Sequence, residues 1–215
     1  MADYSGDGGG RECWRVCLRT IWLLISSGLL TSALAIWLLF RTSDPVCSIE
    51  DIYVPQLNKS EKNSTYSKIY FDLKLDNQNK DKGIYYDALN LTFYYPPNLT
   101  SPIGSFNFPG FYQGYEKKAR RKDWVEVGGV RWAEARKAVR NGSTVFRVDL
   151  ATAVRFKVVG CKTKKHKLVV GSDIWVDDLG NKVGKKGVEL KSGGYRFGLE
   201  RLVVLFSVLV LMLFI

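Results

Sequence analysis

Residues 146–158 read FRVDLATAVRFKV. Phe146, Val148, Leu150, Val154, Phe156 and Val158 share one parity, while Arg147, Asp149, Arg155 and Lys157 occupy the other. Successive side chains of a strand point to opposite faces, so this alternation predicts a long strand with one face in a core and one in water. The pattern recurs on both sides. Ile69, Phe71, Leu73 and Leu75 alternate with Tyr70, Asp72 and Lys74. Leu89, Leu91 and Phe93 repeat it with Asn90 and Thr92 on the opposite face, and Leu168, Val170, Ile174 and Val176 add another strand. Shorter candidates are 47–54, 103–108, 124–127 and 183–190. Turn-forming residues fill 76–83, 96–102, 141–142 and 177–184, and only 131–140 has helix-forming composition. Seven to eight short strands joined by such turns predict an all-β fold over residues 41–192. The architecture is an antiparallel β-sandwich of immunoglobulin or fibronectin-III-like kind.

Ahead of this domain the periodicity changes. Residues 21–40, IWLLISSGLLTSALAIWLLF, hold no charge and are closed by Arg19 and Arg41. As a helix they reach about 30 Å, the thickness of a bilayer's hydrocarbon core. Trp22 and Trp37 lie near the two ends, where amphipathic rings favour the interfaces. The run predicts a transmembrane signal-anchor; a removed signal sequence is the alternative. Residues 1–20, glycine-rich at Gly6 and 8–10, read as a flexible tail that cannot bury enough apolar surface to fold alone.

The side of the membrane follows from glycosylation chemistry. Five Asn-x-Ser/Thr sequons, at Asn58, Asn63, Asn90, Asn98 and Asn141, place the sandwich in the secretory lumen and then outside the cell. Chance occurrence is the bland reading. Arg11, Arg15 and Arg19 precede the helix and only Arg41 follows closely, which puts the tail in the cytosol. The tail is therefore expected in the cytosol and the sandwich outside, with residues 1–19 free to dock a cytosolic partner. A net charge of +11 would suggest nucleic acid in a cytosolic protein; this topology argues against it.

The cysteines divide by compartment. Cys13 and Cys17, beside the lipid headgroups, are candidates for palmitoylation or remain plain thiols. Cys47 and Cys161 lie where disulfides persist and could form one bridge, although nothing in the sequence shows that they meet. The last fourteen residues, LVVLFSVLVLMLFI, form a hydrophobic tail behind Ser192-Gly193-Gly194 and a seven-residue spacer. Small residues, spacer and apolar tail make the pattern of a GPI-attachment signal over 193–215, with Ser192 or Gly193 as the acceptor. A short second membrane segment is the rival. Gly28 with Ser32, and Ser27 with Thr31, repeat small residues at a spacing that lets helices approach, which would permit a homo-oligomer.

Few residues carry a pattern suited to catalysis or metal binding. Asn77, Asn79 and Asp81 resemble the start of a calcium loop, but Gly83 comes one position late and Ala88 stands where a bidentate Glu belongs. These residues read instead as a structural turn, with Asn side chains bonding their own backbone and Gly83 supplying a positive φ. The single histidine, His166, sits among Lys162, Lys164, Lys165 and Lys167 at an expected hairpin tip, without a partner for base catalysis. Neither metal-ligand spacing nor a nucleotide-binding glycine pattern occurs, so a non-enzymatic protein without cofactors is expected. Lys117, Lys118, Arg120, Arg121 and Lys122 form a basic loop that could meet an acidic cell-wall polysaccharide. Solvated loops that keep the domain soluble are the alternative for this and for the cluster Lys182, Lys185 and Lys186.

Three strings carry a resemblance: 76–89 (DNQNKDKGIYYDAL), 110–122 (GFYQGYEKKARRK) and 141–157 (NGSTVFRVDLATAVRFK). With the layout from Cys13 to the tail, the chain resembles the NDR/HIN-like family of plant membrane proteins. Their outer domain is a late embryogenesis abundant group-two (WHy-type) sandwich. The resemblance implies a plasma-membrane protein of plant immunity that supports resistance signalling and membrane-to-wall contact. It also implies a GPI-type C-terminus and a short cytosolic segment docking an immune regulator. Two departures stand out. The family's Asn-Pro-Asn is Asn77-Gln78-Asn79 here, and an Asn-Gly-Asp adhesion tripeptide is absent, Asn141-Gly142-Ser143 being a sequon. Rival roles are protection of membranes during desiccation and binding of a lipid between the sheets.

Overall fold

The computed structural model describes residues 9–58, 67–97, 99–140, 142–158 and 160–192, with side chains in the first helix described for 14–38. Two compact units divide between Ser43 and Asp44. The first contains helix α1, Gly9–Phe40. It begins at Gly9 rather than Ile21, so the stretch expected as flexible tail is helical from there. Residues 11–19 contain neither Gly nor Pro, and extending an existing helix is far easier than nucleating one. Within it, Trp14–Leu38 is apolar and long enough to cross a membrane. Its hydroxyls are satisfied internally: Ser26, Ser27, Thr31 and Ser32 each donate to the carbonyl three residues earlier, at 2.9–3.0 Å. Hydrocarbon offers no other acceptor, so this is the arrangement a spanning helix needs.

The second unit is a sandwich of two antiparallel sheets. In chain order its strands are β1 Val46–Tyr53, β2 Lys68–Asp76, β3 Gly83–Tyr86, β4 Leu89–Tyr94, β5 Gly104–Phe108 and β6 Phe111–Gln113. They continue with β7 Lys118–Glu126, β8 Thr144–Val158, β9 Cys161–Lys162, β10 His166–Val176 and β11 Val188–Leu190. Eleven strands thus stand among the described residues where seven to eight were expected, because three short ones (β6, β9 and β11) pair only briefly. One sheet runs β11-β1-β2-β7; the other runs β5-β4-β8-β3-β6, with β9 and β10 on the far side of β8.

The alternating residues fill the space between the sheets. Ile49, Ile52, Ile69, Leu73 and Leu75 from one sheet meet Ile84, Leu89, Leu91, Phe93, Phe146, Val148 and Leu150 from the other, all essentially unexposed. Phe71 joins the layers, with ring centroids 5.4 Å from Phe93, 5.8 Å from Phe106 and 6.1 Å from Phe108. Each such side chain contributes roughly 1.5–3 kcal/mol by leaving water. Helix α2, Trp132–Arg140, buries Ala135 and Val139. It is tied to the 3₁₀ turn Pro55–Leu57 by Arg136, which donates to the Gln56 carbonyl at 3.3 Å.

Two local expectations change. The basic run is not a loop: 118–122 lie in β7, an edge strand paired along its whole length with β2. His166 is exposed but opens β10 opposite Val154, while the β8–β9 turn passes through Gly160 at φ 86°.

Candidate functional site

Functional side chains gather on the outer face of the β11-β1-β2-β7 sheet. Cross-strand pairing stacks them in rows. Tyr53, Tyr70 and Trp124 stand opposite one another across β1, β2 and β7, and the next row is Asp51, Asp72 and Lys122. Beyond a bulge at 49–51 come Ser48, Lys74 and Arg120, then Val46, Asp76 and Lys118. Asp51 opposite Asp72 and Lys74 opposite Arg120 set like charges side by side, which would destabilise a sheet, and ion pairs between the rows offset this. Arg120 lies 3.2 Å from Asp72 and 4.0 Å from Glu50, Lys122 lies 3.7 Å from Asp72, and Lys118 lies 3.6 Å from Asp76. The bulge turns Glu50 toward Lys74 at 3.2 Å. Its carboxyl is held below the usual range, first by the Ser48 hydroxyl at 2.9 Å and then by Lys74.

The basic stretch is therefore largely compensated. Lys118, Arg120 and Lys122 face carboxylates of β1 and β2, Arg121 stacks on the Phe111 ring at 4.7 Å, and Lys117 is exposed just before the strand. Of the second cluster, Lys165 pairs with Asp87 at 2.8 Å and Lys162 lies over Tyr85 at 4.4 Å. Lys182 is buried and donates to the Lys186 carbonyl at 2.6 Å.

At the end of β2 the expected turn closes around a buried amide. The Asn77 amide nitrogen donates to the carbonyls of Lys82 (2.8 Å) and Gly114 (2.9 Å), and its oxygen accepts from the backbone and side chain of Asn79 at 3.1 and 2.9 Å. Gln113 completes the plug. It donates to the carbonyls of Leu75 (3.0 Å) and Lys117 (2.6 Å) and accepts from the Tyr86 hydroxyl at 2.8 Å. Burial pushes that hydroxyl's pKa up. Asp81 pairs with the buried Lys82 at 2.9 Å. Gly83 differs from expectation: it has no positive φ but opens β3, where a Cβ would collide with the Tyr112 ring. Here the strings around 77–83 and 110–114 meet. Gln113 was not foreseen as a functional residue, since its partners are distant in sequence.

Cys47 and Cys161 are both free thiols, the first buried in β1 and the second exposed in β9 of the other sheet; no bridge joins them. Burial, reinforced by Asp44 and Glu189, pushes the Cys47 thiol up to about 12, so it stays protonated and inert. Cys17 is exposed on α1, and the Cys13 side chain lies outside the described residues. Asn90 is exposed on β4; Asn58 is half-buried and donates to the Tyr53 hydroxyl at 3.2 Å. Asn63, Asn98, Asn141, Gly193 and the tail from 193 lie outside the described residues, which end at Ser192. Among the described residues no group of three His, Cys, Asp or Glu is placed to hold a metal ion.

The described residues thus define an all-β sandwich with a polar-capped turn, preceded in the chain by a helix of membrane-crossing length. No family model matches the chain. Protein NDR1 of Arabidopsis thaliana is 39% identical over 199 residues, covering 89% of this chain and 88% of that protein. NDR1/HIN1-like protein 2 of the same plant is 25% identical over 170 residues, 76% of this chain and 67% of its own. The chain belongs to the NDR1/HIN1-like family. A solved protein from Archaeoglobus fulgidus covers 52% of this chain and 86% of its own at 9% identity, with a TM-score of 0.28, a likeness too slight to carry an argument.

Proposed function

We propose that this protein is a non-enzymatic plant disease-resistance protein of the plasma membrane. Its sandwich faces the cell wall and its N-terminal residues face a cytosolic immune regulator. The observation that carries the reading is the 39% identity to Protein NDR1 over 89% of the chain. The apolar stretch Trp14–Leu38 supports the membrane, and the sequons support an outer sandwich, with the side chain of Asn90 exposed for a glycan. A GPI lipid at Ser192 or Gly193 and palmitoyl groups at Cys13 and Cys17 belong to the same reading as further anchors.

The deciding experiment removes the gene from its plant and challenges it with bacteria the wild type restricts. Loss of restriction, restored by the intact gene, is the expected result. Unchanged restriction with poor survival of drying would replace the reading with a stress-protective one. Glycosidase treatment of the isolated protein should shift its mobility, and an Asn90→Gln variant should lose part of that shift; a chain that carries no glycan would place the sandwich on the other side.

A further inference from the structure

The row Tyr53, Tyr70 and Trp124 has no role in closing the core. It lies on the solvent face of the sheet, yet Tyr70 and Trp124 remain 43% and 40% exposed. Tyr53 and Tyr70 have ring centroids 6.3 Å apart with a 34° tilt. Lys68 braces Trp124 from 3.7 Å, outside the groove that the aromatic row and the row Asp51, Asp72, Lys122 enclose, a groove of about 350 Å³. Together the three residues give the outer face of the sheet a short aromatic row beside the charged one.

A second observation points into the same groove. Asp72 is only 5% exposed and lines it. One carboxylate oxygen pairs with Arg120 and Lys122, while the other, Oδ1, is buried with no hydrogen-bond partner. Such an orphan is costly, and a donor from outside the chain, a water or a ligand hydroxyl, would complete it. The charge of the lining narrows the donor. Asp51, Asp72 and Asp123 are balanced by Lys122 in the lining and by Arg120 and Lys68 at its edge, so the groove has no net charge with which to hold an acidic polymer.

We propose that this groove binds a neutral, hydroxyl-rich polysaccharide chain. Its pyranose rings present their C–H faces to Tyr70 and Trp124, burying apolar area on rings that are already ordered. A sugar hydroxyl donates to Asp72 Oδ1 once the flexible Lys122 side chain moves aside. The biological sense of this site rests on the proposed outward placement of the sandwich. It is separate from the basic strand residues, whose charges are met within the sheet.

The test uses the full chain in lipid nanodiscs, titrated calorimetrically with cellohexaose and with a galacturonic acid trimer. Saturable binding of cellohexaose, with the acidic trimer weaker, is expected. Trp124→Ala and Tyr70→Ala should each weaken it by about tenfold, while Arg121→Ala leaves it unchanged. Should Trp124→Ala lose its circular dichroism signal, Tyr70→Ala decides. Absence of cellohexaose binding, preference for the acidic trimer, or full affinity in a folded aromatic variant would overturn the proposal. Because the titration does not depend on which side of a membrane the sandwich occupies, its failure sinks the groove alone and leaves the proposed function to the plant and glycosidase experiments.

Discussion

Asn77 and Asp72 are both polar, both nearly unexposed (0% and 5%), and both belong to β2 or the turn that ends it. Their surroundings treat them oppositely. Every polar atom of the Asn77 amide has a partner within the chain, and those partners come from two segments, the turn at 79–82 and the distant Gly114. Asp72 meets two cations through one oxygen and leaves the other empty beside an open groove. A buried polar group whose bonds all close internally is scaffolding, because removing it strands several backbone groups at once. One that is left partly open marks a place where something from outside can complete it. The two lie close in sequence and in the same sandwich, so the difference reflects what each position is for.

The comparison can be broken by measuring stability. Asn77→Ala leaves the Lys82 and Gly114 carbonyls and the Asn79 amide without their partner, and should cost about 3 kcal/mol in denaturant unfolding. Asp72→Asn keeps the shape and weakens pairs whose cations are 57% and 75% exposed; it should cost less than about 1 kcal/mol. Equal costs for the two would erase the distinction. The smallest effect is expected at Asp87, which Lys165 and then Arg155 hold below the ordinary carboxylate range. A depressed folded pKa contributes stability that is fully present above the unfolded value, about 4, and is lost as pH falls through the folded value. Melting temperatures followed down to about pH 2 should show wild type and Asp87→Asn converging in acid. A gap that stays constant with pH would mean the pairing does not matter.

The strand pattern was readable where one face had to be apolar. Ile69, Phe71, Leu73 and Leu75 in β2, and Phe146 to Val158 in β8, point inward as their alternation requires. At β7 it caught only the end, expected over 124–127, and missed 118–123, because Val125 is the only fully buried residue of the strand. An edge strand can carry cations along its outer side, which blunts edge-to-edge pairing and hides the strand in a run that reads as a loop. The segment expected as a strand over 183–190 pairs only from Val188. The residues just ahead of that segment form a loop held to β1 by backbone bonds, Lys182 to the Ile52 carbonyl and Val54 to the Gly180 carbonyl; Gly180, and Gly184 within the segment, have positive φ. The Asn77–Asn79 turn was legible because Asn side chains bond nearby backbone. Gln113 was not, since it reaches Tyr86 and Leu75 across the fold. Tyr70 did leave a trace: an aromatic residue stands on the parity that otherwise carries Asp72 and Lys74.

Strand β8 has one more consequence. It pairs with β3 and β4 on one side and with β9 and β10 on the other, through matches such as Asn90 to Ala151 and Ile84 to Phe156. A ribosome delivers the chain from its N-terminus, so β3 and β4 emerge long before the strand that completes them. Closing such long loops sets the pace of folding. Until Val158 has been made, the sheet lacks its spine, and the apolar faces of the earlier strands stay open to chaperones and to neighbouring chains.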